Sequence, residues 1–412
     1  MGSGTPGKID KYLNMETYFN TIGWAGQEED APPSGVAPEV AVRCVQERRR
    51  RLVWAIGCML FAIVLSGCES LNYYGQLVVG QVRIFSNRQP IAELVTDPTV
   101  PEGLKSEFER ILEVRKFAET ELYLPADAHY LSYVDLQRPF AVWNVYAAPE
   151  FSLQPKIWRY PVIGHAAYRG FFSEDAATTY AKRLATRGYD THVGGAVAYS
   201  TLGWFADPVF NTMLGRSPAG IAALIFHELA HQILYVPDDT AFNEGFASTV
   251  EQEGVRRWLE KTDDMASYRR FLQAKQHQKA FFSLVQACRK RLDVVYGLEM
   301  DPQGRRAQKT AAFRAFLKDY ENLKRDRNAI SGYDDWVYGT ALNNAKLISL
   351  AVYRDYVPAF LEVLRAADDD LQKFYADCRS LASLPKDERD RRLTALLKNH
   401  SGPYRDVASD AE

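Results

Sequence analysis

The sequence predicts an α+β protein in which a small strand-rich unit precedes a long, mostly helical region. Two patterns carry this expectation. Residues 141–148 and 157–164 are short β-branched and aromatic runs set off by turn residues. A further strand is expected at 194–200, with one helix at 174–187 before it. From residue 217 onward apolar residues recur at helical spacing instead, over 217–235, 240–261, 268–296, 307–324, 341–353 and 357–374. Near the start, Leu104, Phe108, Ile111, Leu112, Val114 and Phe117 predict a helix over 104–122, between Pro101 and Pro125. Residues 73–86 pass from apolar to polar without a clear break, and 406–412 form a small polar tail.

The chain has 412 residues, 47% of them hydrophobic and 25% charged, which is the balance of a folded globular protein. Acids and bases nearly cancel, leaving a formal net charge of −2. No basic footprint exists for a nucleic acid, so nucleic-acid partners are set aside. The 23 tyrosines, 21 phenylalanines and 7 tryptophans fit a large core but indicate no chemistry.

The N-terminal region speaks to location. A basic run at 48–51 is followed by the uncharged apolar stretch 52–65 and then by Leu65-Ser66-Gly67-Cys68. A positive segment, a short apolar segment and small residues at the end describe an export signal, and the apolar stretch is short for a bilayer span. Leu65-Ser66-Gly67-Cys68 resembles the lipobox of bacterial lipoproteins, which implies lipidation of Cys68. Glu69 follows it. In a Gram-negative envelope that context implies the outer membrane, facing the periplasm. Residues 1–47 precede the signal, so either the start codon lies further downstream or the leader is unusual. Removing the leader leaves Cys288 and Cys378 besides Cys68, which leaves room for one disulfide but not for a disulfide scaffold.

The chemistry concentrates in His227-Glu228-Leu229-Ala230-His231. Ser217 is a good N-cap and Pro218 suits the first helical position, so the motif falls on a well-started helix. Two histidines at i and i+4 leave one face of that helix and can share a metal ion, with zinc the expected one. Glu228, beside the first ligand, is placed to act as general base on a metal-activated water. A catalytic zinc needs three protein ligands and an open position. Twelve residues after His231, past the loop at 236–239, stands Glu244, on a second helix that can fold back against the first. Glu251 and Glu253 are fallback ligands. Glu251 lies on nearly the same face as Glu244 and is otherwise a candidate to accept the free N–H of a ligand histidine.

These residues resemble the gluzincin clan, and in particular a family of bacterial proteins described as predicted zinc aminopeptidases. The likeness extends through Tyr168-Arg169-Gly170-Phe171-Phe172, Gly194-Gly195, Tyr199-Ser200-Thr201 and Asn343-Asn344-Ala345, from about Cys68 to Leu350. It implies a zincin-like catalytic region, a zinc cofactor, a peptide substrate and a lipoprotein tethered to the membrane. The chain departs at Gly245-Phe246, where a small polar residue before the Phe is usual. The Gly-x-Met-Glu-Asn signature of a better-known aminopeptidase group is absent.

The organisation expected is therefore a leader and signal segment at 1–67, an N-terminal helical region at 68–140, an α+β catalytic core at 141–260 and a C-terminal helical region at 261–412. An oxyanion donor is sought among Tyr199, Tyr333 and Tyr338, with Tyr338 favoured because it opens the block leading to Asn343-Asn344. The strand at 194–199 is a candidate edge for pairing with an extended peptide. The remaining histidines, among them His129 and His192, lack metal spacing. Two other functions stay open: a lipoprotein scaffold or assembly factor with a vestigial zinc site, and an amidase acting on cell-wall peptides.

Overall fold

The computed structural model describes residues 67–160, 164–198, 206–326, 332–350 and 356–399. The chain divides into two compact units, Ile22–Asn87 and the rest. In the first, helix α1 (Gly67–Ser86) buries Tyr73 and Ile84 and exposes Val78, Val79 and Val82. Cys68 falls in its first turn, and its side chain lies outside the described residues. No helix among the described residues is long and apolar enough to cross a membrane.

The second unit is mixed α+β and mostly helical, as expected. It opens with strand β1 (Gln89–Pro90) and helices α2 (Ile91–Thr96) and α3 (Glu102–Glu121). Strands β2 (Ser132–Val134), β3 (Val142–Pro149), β4 (Trp158–Tyr160), β5 (Gly164–Ala166) and β6 (Tyr168–Phe171) follow, then helix α4 (Glu174–Ala185) and strands β7 (Tyr189–Ala196) and β8 (Val209–Phe210). The largest sheet has the order β6-β3-β7, antiparallel throughout, with Asn144 opposite both Gly170 and Gly194. β3 is buried along almost its whole length, as a central strand covered on both faces must be. Gly195 is fixed by packing: a Cβ there would stand 2.2 Å from the Phe140 ring. A smaller sheet, β1-β2-β8, pairs β2 in parallel with β8. β4 and β5 form an antiparallel pair where one run had been expected over 157–164.

The helical part comprises α5 (Pro218–Ile233), α6 (Thr240–Lys261), α7 (Met265–Gly297), α8 (Pro302–Asp326), α9 (Asp334–Tyr338), α10 (Asn344–Ile348), α11 (Val357–Ala366), α12 (Leu371–Ala382) and α13 (Lys386–Asn399). Several elements differ from the sequence expectation, among them the short α9, which no expected helix covers. The helix expected over 357–374 is two helices, because Asp368 and Asp369 adopt the left-handed region at φ 58° and 60° and break the ladder. Around 341–353 the described helix is only α10. α13 was not anticipated, its stretch of charged residues masking a sparse apolar face.

Two aromatic cores hold these helices. Phe246 of α6 packs on Phe360 of α11 and stacks on Phe374 of α12, the latter at 5.8 Å between ring centroids. Phe281 of α7 meets Phe316 and Tyr320 of α8 and Trp336 of α9. Cys288 and Cys378 are buried, free thiols, the first in the long helix α7 and the second in the short helix α12. Burial raises both thiol pKa values, that of Cys288 to about 12.

Candidate metal centre

α5 starts as its sequence dictates. Ser217 Oγ accepts from the Gly220 N–H at 3.1 Å, and Pro218 occupies the first turn. The helix is buried on almost every side, from Ala219 through Phe226 and again at Leu229 and Ala230. Polar residues in such a helix need partners or a purpose, and here they are His227, Glu228 and His231. Glu228 is 2% exposed.

A short turn then returns the chain against α5 as α6. Asp238 takes φ 59° in that turn, and Asp239 caps α6 by accepting from the Phe242 N–H at 3.3 Å. Asn243 closes the turn from the other side. Its Oδ1 accepts from the Val236 N–H and its Nδ2 donates to the Val236 carbonyl, both at 2.8 Å. Glu244 is the next residue, and the return brings it to the two histidines.

The three groups form a tight triangle. His227 Nε2 lies 3.2 Å from His231 Nε2, Glu244 Oε2 lies 3.3 Å from His227 Nε2, and Glu244 Oε1 lies 3.6 Å from His231 Nε2. A tetrahedral ion with bonds of about 2.0–2.1 Å needs ligand atoms about 3.3–3.4 Å apart. The triangle has that size and donor set, so the residues present fit a metal ion. His227 and Glu244 keep 13% and 27% side-chain exposure, which leaves one side of the centre accessible, whereas His231 is buried at 4%.

Behind His227 stands Glu251, two turns along α6. Its Oε2 is 3.1 Å from His227 Nδ1, and its Oε1 meets Lys275 Nζ of α7 at 2.5 Å. An N–H at Nδ1 facing a carboxylate leaves the Nε2 lone pair toward Glu244 and His231, the tautomer a metal ligand requires. His231 Nδ1 is buried with no hydrogen-bond partner among the described residues. Burial pulls the His227 pKa down, but hydrogen bonds and charge from Glu244 and Glu251 outweigh it and hold the ring well above its ordinary value. His231 goes the other way, lowered to about 4 by burial, with Glu244 opposing and the neighbouring His227 adding to the drop. Burial pushes Glu251 up, but Lys275 and His227 bring its carboxyl below the usual range.

The structure thus gathers His227, His231, Glu244 and Glu251, with Glu228 on the same helix. Glu253 is elsewhere: it accepts from Arg256 and Arg257, at 2.6–2.9 Å. Tyr338 is not brought to the cluster either. It is half-exposed and its hydroxyl donates to Glu321 of α8. Tyr333 stacks on Phe281 at 3.9 Å in the second core, and Tyr199 lies outside the described residues. Asn343 and Asn344 brace the fold instead. Asn343 caps α10 and donates to the Thr191 carbonyl, while Asn344 bonds Tyr296 and the carbonyls of Pro149, at the end of β3, and Glu150, just after it. Gly245 has a steric cause, since a Cβ would stand 2.8 Å from Tyr356 Cβ and 3.1 Å from the Phe360 ring. Lys275 escaped the sequence reading because nothing local marks it; its partner is on another helix.

Residues 72–393 match a family model, Aminopep, described as "Putative aminopeptidase". The chain belongs to that family. No curated protein and no solved structure matches the chain significantly. The Aminopep match runs from α1 into α13, so it takes in the triangle and the helices packed around it. Family membership supports a peptidase-like function.

Proposed function

We propose that this protein is a zinc-dependent metallopeptidase acting as an aminopeptidase, with His227, His231 and Glu244 as zinc ligands. The observation that carries the reading is the triangle of Nε2, Nε2 and carboxylate oxygens at 3.2–3.6 Å, with Glu228 buried on the same helix. Zinc held there supplies Lewis acidity toward a water and the scissile carbonyl. The chain's own residues do the rest. Glu228 accepts the proton of the attacking water and passes it to the leaving amine. Glu251 keeps the His227 ring in its metal-binding tautomer, and Lys275 holds Glu251 in place. The accessible side of Glu244 and His227 admits the peptide. A base placed beside the ligands has no use in a scaffold, which argues against a vestigial site.

We further propose that Cys68 is lipidated and tethers the enzyme to the outer membrane, facing the periplasm. The test of the metal centre is direct. Purified protein should carry about one zinc per chain, and His231→Ala should lose it; full zinc occupancy in that variant overturns the ligand assignment. Digestion of peptides with free and blocked N-termini separates an aminopeptidase from an endopeptidase. Cleavage confined to cell-wall peptides indicates the amidase instead.

A further inference from the structure

Glu244 is held at its carboxylate only by the groups it would share with the metal: its ion pairs among the described residues are with His227 and His231. Where that carboxylate stands is therefore set by the backbone at the start of α6, and this start is clamped by α13 and the segment leading into it. Asp239, the cap of α6, is buried, and its Oδ2 accepts from Arg389 Nε at 2.9 Å and Nη2 at 2.6 Å. Lys386 Nζ reaches the other carboxylate oxygen at 3.1 Å.

Arg389 is 4% exposed, and every arm of its guanidinium is engaged. Nη1 donates to the carbonyls of Ala382 at 3.1 Å and Leu384 at 2.7 Å, and the group lies 5.1 Å over the Phe242 ring. Three residues past Phe242, Gly245 receives Tyr356, the residue before α11, and Phe360 of α11. Residues 239, 242, 243 and 245 are thus all fixed around Glu244. A buried ion pair of this kind adds little net stability over apolar replacements, and its best-attested use is to enforce one geometry. Its planar, two-point contact also suits register better than a lysine's single point charge would.

We propose that Arg389 is a positioning residue of the metal centre, acting through Asp239 on the placement of Glu244. The inference rests on Glu244 being the third ligand. Zinc affinity of the mature chain, measured by competition with a chromogenic chelator, tests it. Arg389→Met should weaken binding by up to about tenfold, the low end of the range for groups bonded directly to a metal ligand, because it acts one contact further away. Arg389→Lys should recover part of the loss. In a Glu244→Ala background Arg389→Met should weaken binding no further, because its route to the metal is gone.

Wild-type affinity in Arg389→Met overturns the proposal, and so does an equal loss in both backgrounds, the sign of a merely structural role. Glu244→Ala binding zinc like wild type removes the underlying reading, an outcome distinct from either. Where the single variant fails to fold, Asp239→Asn/Arg389→Met keeps the cap and leaves no lone buried charge. Wild-type protein gives a test without mutation. By linkage, zinc should slow amide exchange over 386–399, and exchange there unchanged by zinc overturns the proposal.

Discussion

Asn344→Ala is expected to destabilise the fold by about 3 kcal/mol through three lost hydrogen bonds of about 1 kcal/mol each. Asn344 is fully buried. Its Oδ1 accepts from the Tyr296 hydroxyl at 2.7 Å, and its Nδ2 donates to the carbonyls of Pro149 at 3.0 Å and Glu150 at 2.9 Å. The Glu150 carbonyl keeps Lys309 Nζ at 2.8 Å and the Pro149 carbonyl keeps the Ser152 N–H at 3.2 Å, whereas the Tyr296 hydroxyl loses the acceptor it donates to. The loss corresponds to about a hundredfold in the folding equilibrium. Asn344→Asp should be worse, since it turns a carboxylate oxygen toward two carbonyl oxygens. Tyr296→Phe should cost only about 1 kcal/mol, for it removes one bond. Urea unfolding with unchanged slopes reads all three. A loss under about 1 kcal/mol in Asn344→Ala, or an equal loss in Tyr296→Phe, refutes the claim that this residue pins α10 to the end of β3.

Glu228→Gln should retain zinc and melting temperature while peptide hydrolysis falls by about 10²–10⁴-fold, since an amide cannot accept the water's proton; near-wild-type turnover shows the base is another group. Zinc affinity should rise by up to about tenfold per pH unit until it levels off at the raised pKa of His227, because a proton on that ring competes for Nε2. A flat titration between pH 6 and 8 contradicts it. Cys68→Ser should release the protein from the membrane fraction or leave its signal uncleaved, and the intact mass of native protein shows whether Cys68 carries lipid.

The clustering of the candidate ligands was legible where its determinants are local. The Ser217-Pro218 start, the i, i+4 histidines and the short turn to Glu244 all lie within one continuous stretch, 217–244, and a helix hairpin follows from them. Gly245 stood out as a departure, but its cause, the approach of Tyr356, became visible only in three dimensions. Lys275 and Arg389 were illegible because each answers a carboxylate across the fold: Glu251 is 24 positions from Lys275 and Asp239 is 150 from Arg389. The strand at 194–200 was half legible. It begins at Tyr189, and His192, Gly194 and Gly195 diluted its β signal. The break at Asp368 and Asp369 was missed because two aspartates in a helical rhythm look like a solvated face until their left-handed φ values are known.

The two free thiols have a use of their own. Thiol reagents attack the thiolate, and burial withholds it at both Cys288 and Cys378 until the surrounding helices part. Each cysteine is therefore a clock for the opening of its own neighbourhood. Cys288 times the α7–α8 core, and Cys378, on α12, times the C-terminal helices that clamp the start of α6. Labelling rates measured side by side tell whether the C-terminal helices lift away alone, exposing the ligand turn, or only when the whole fold gives way.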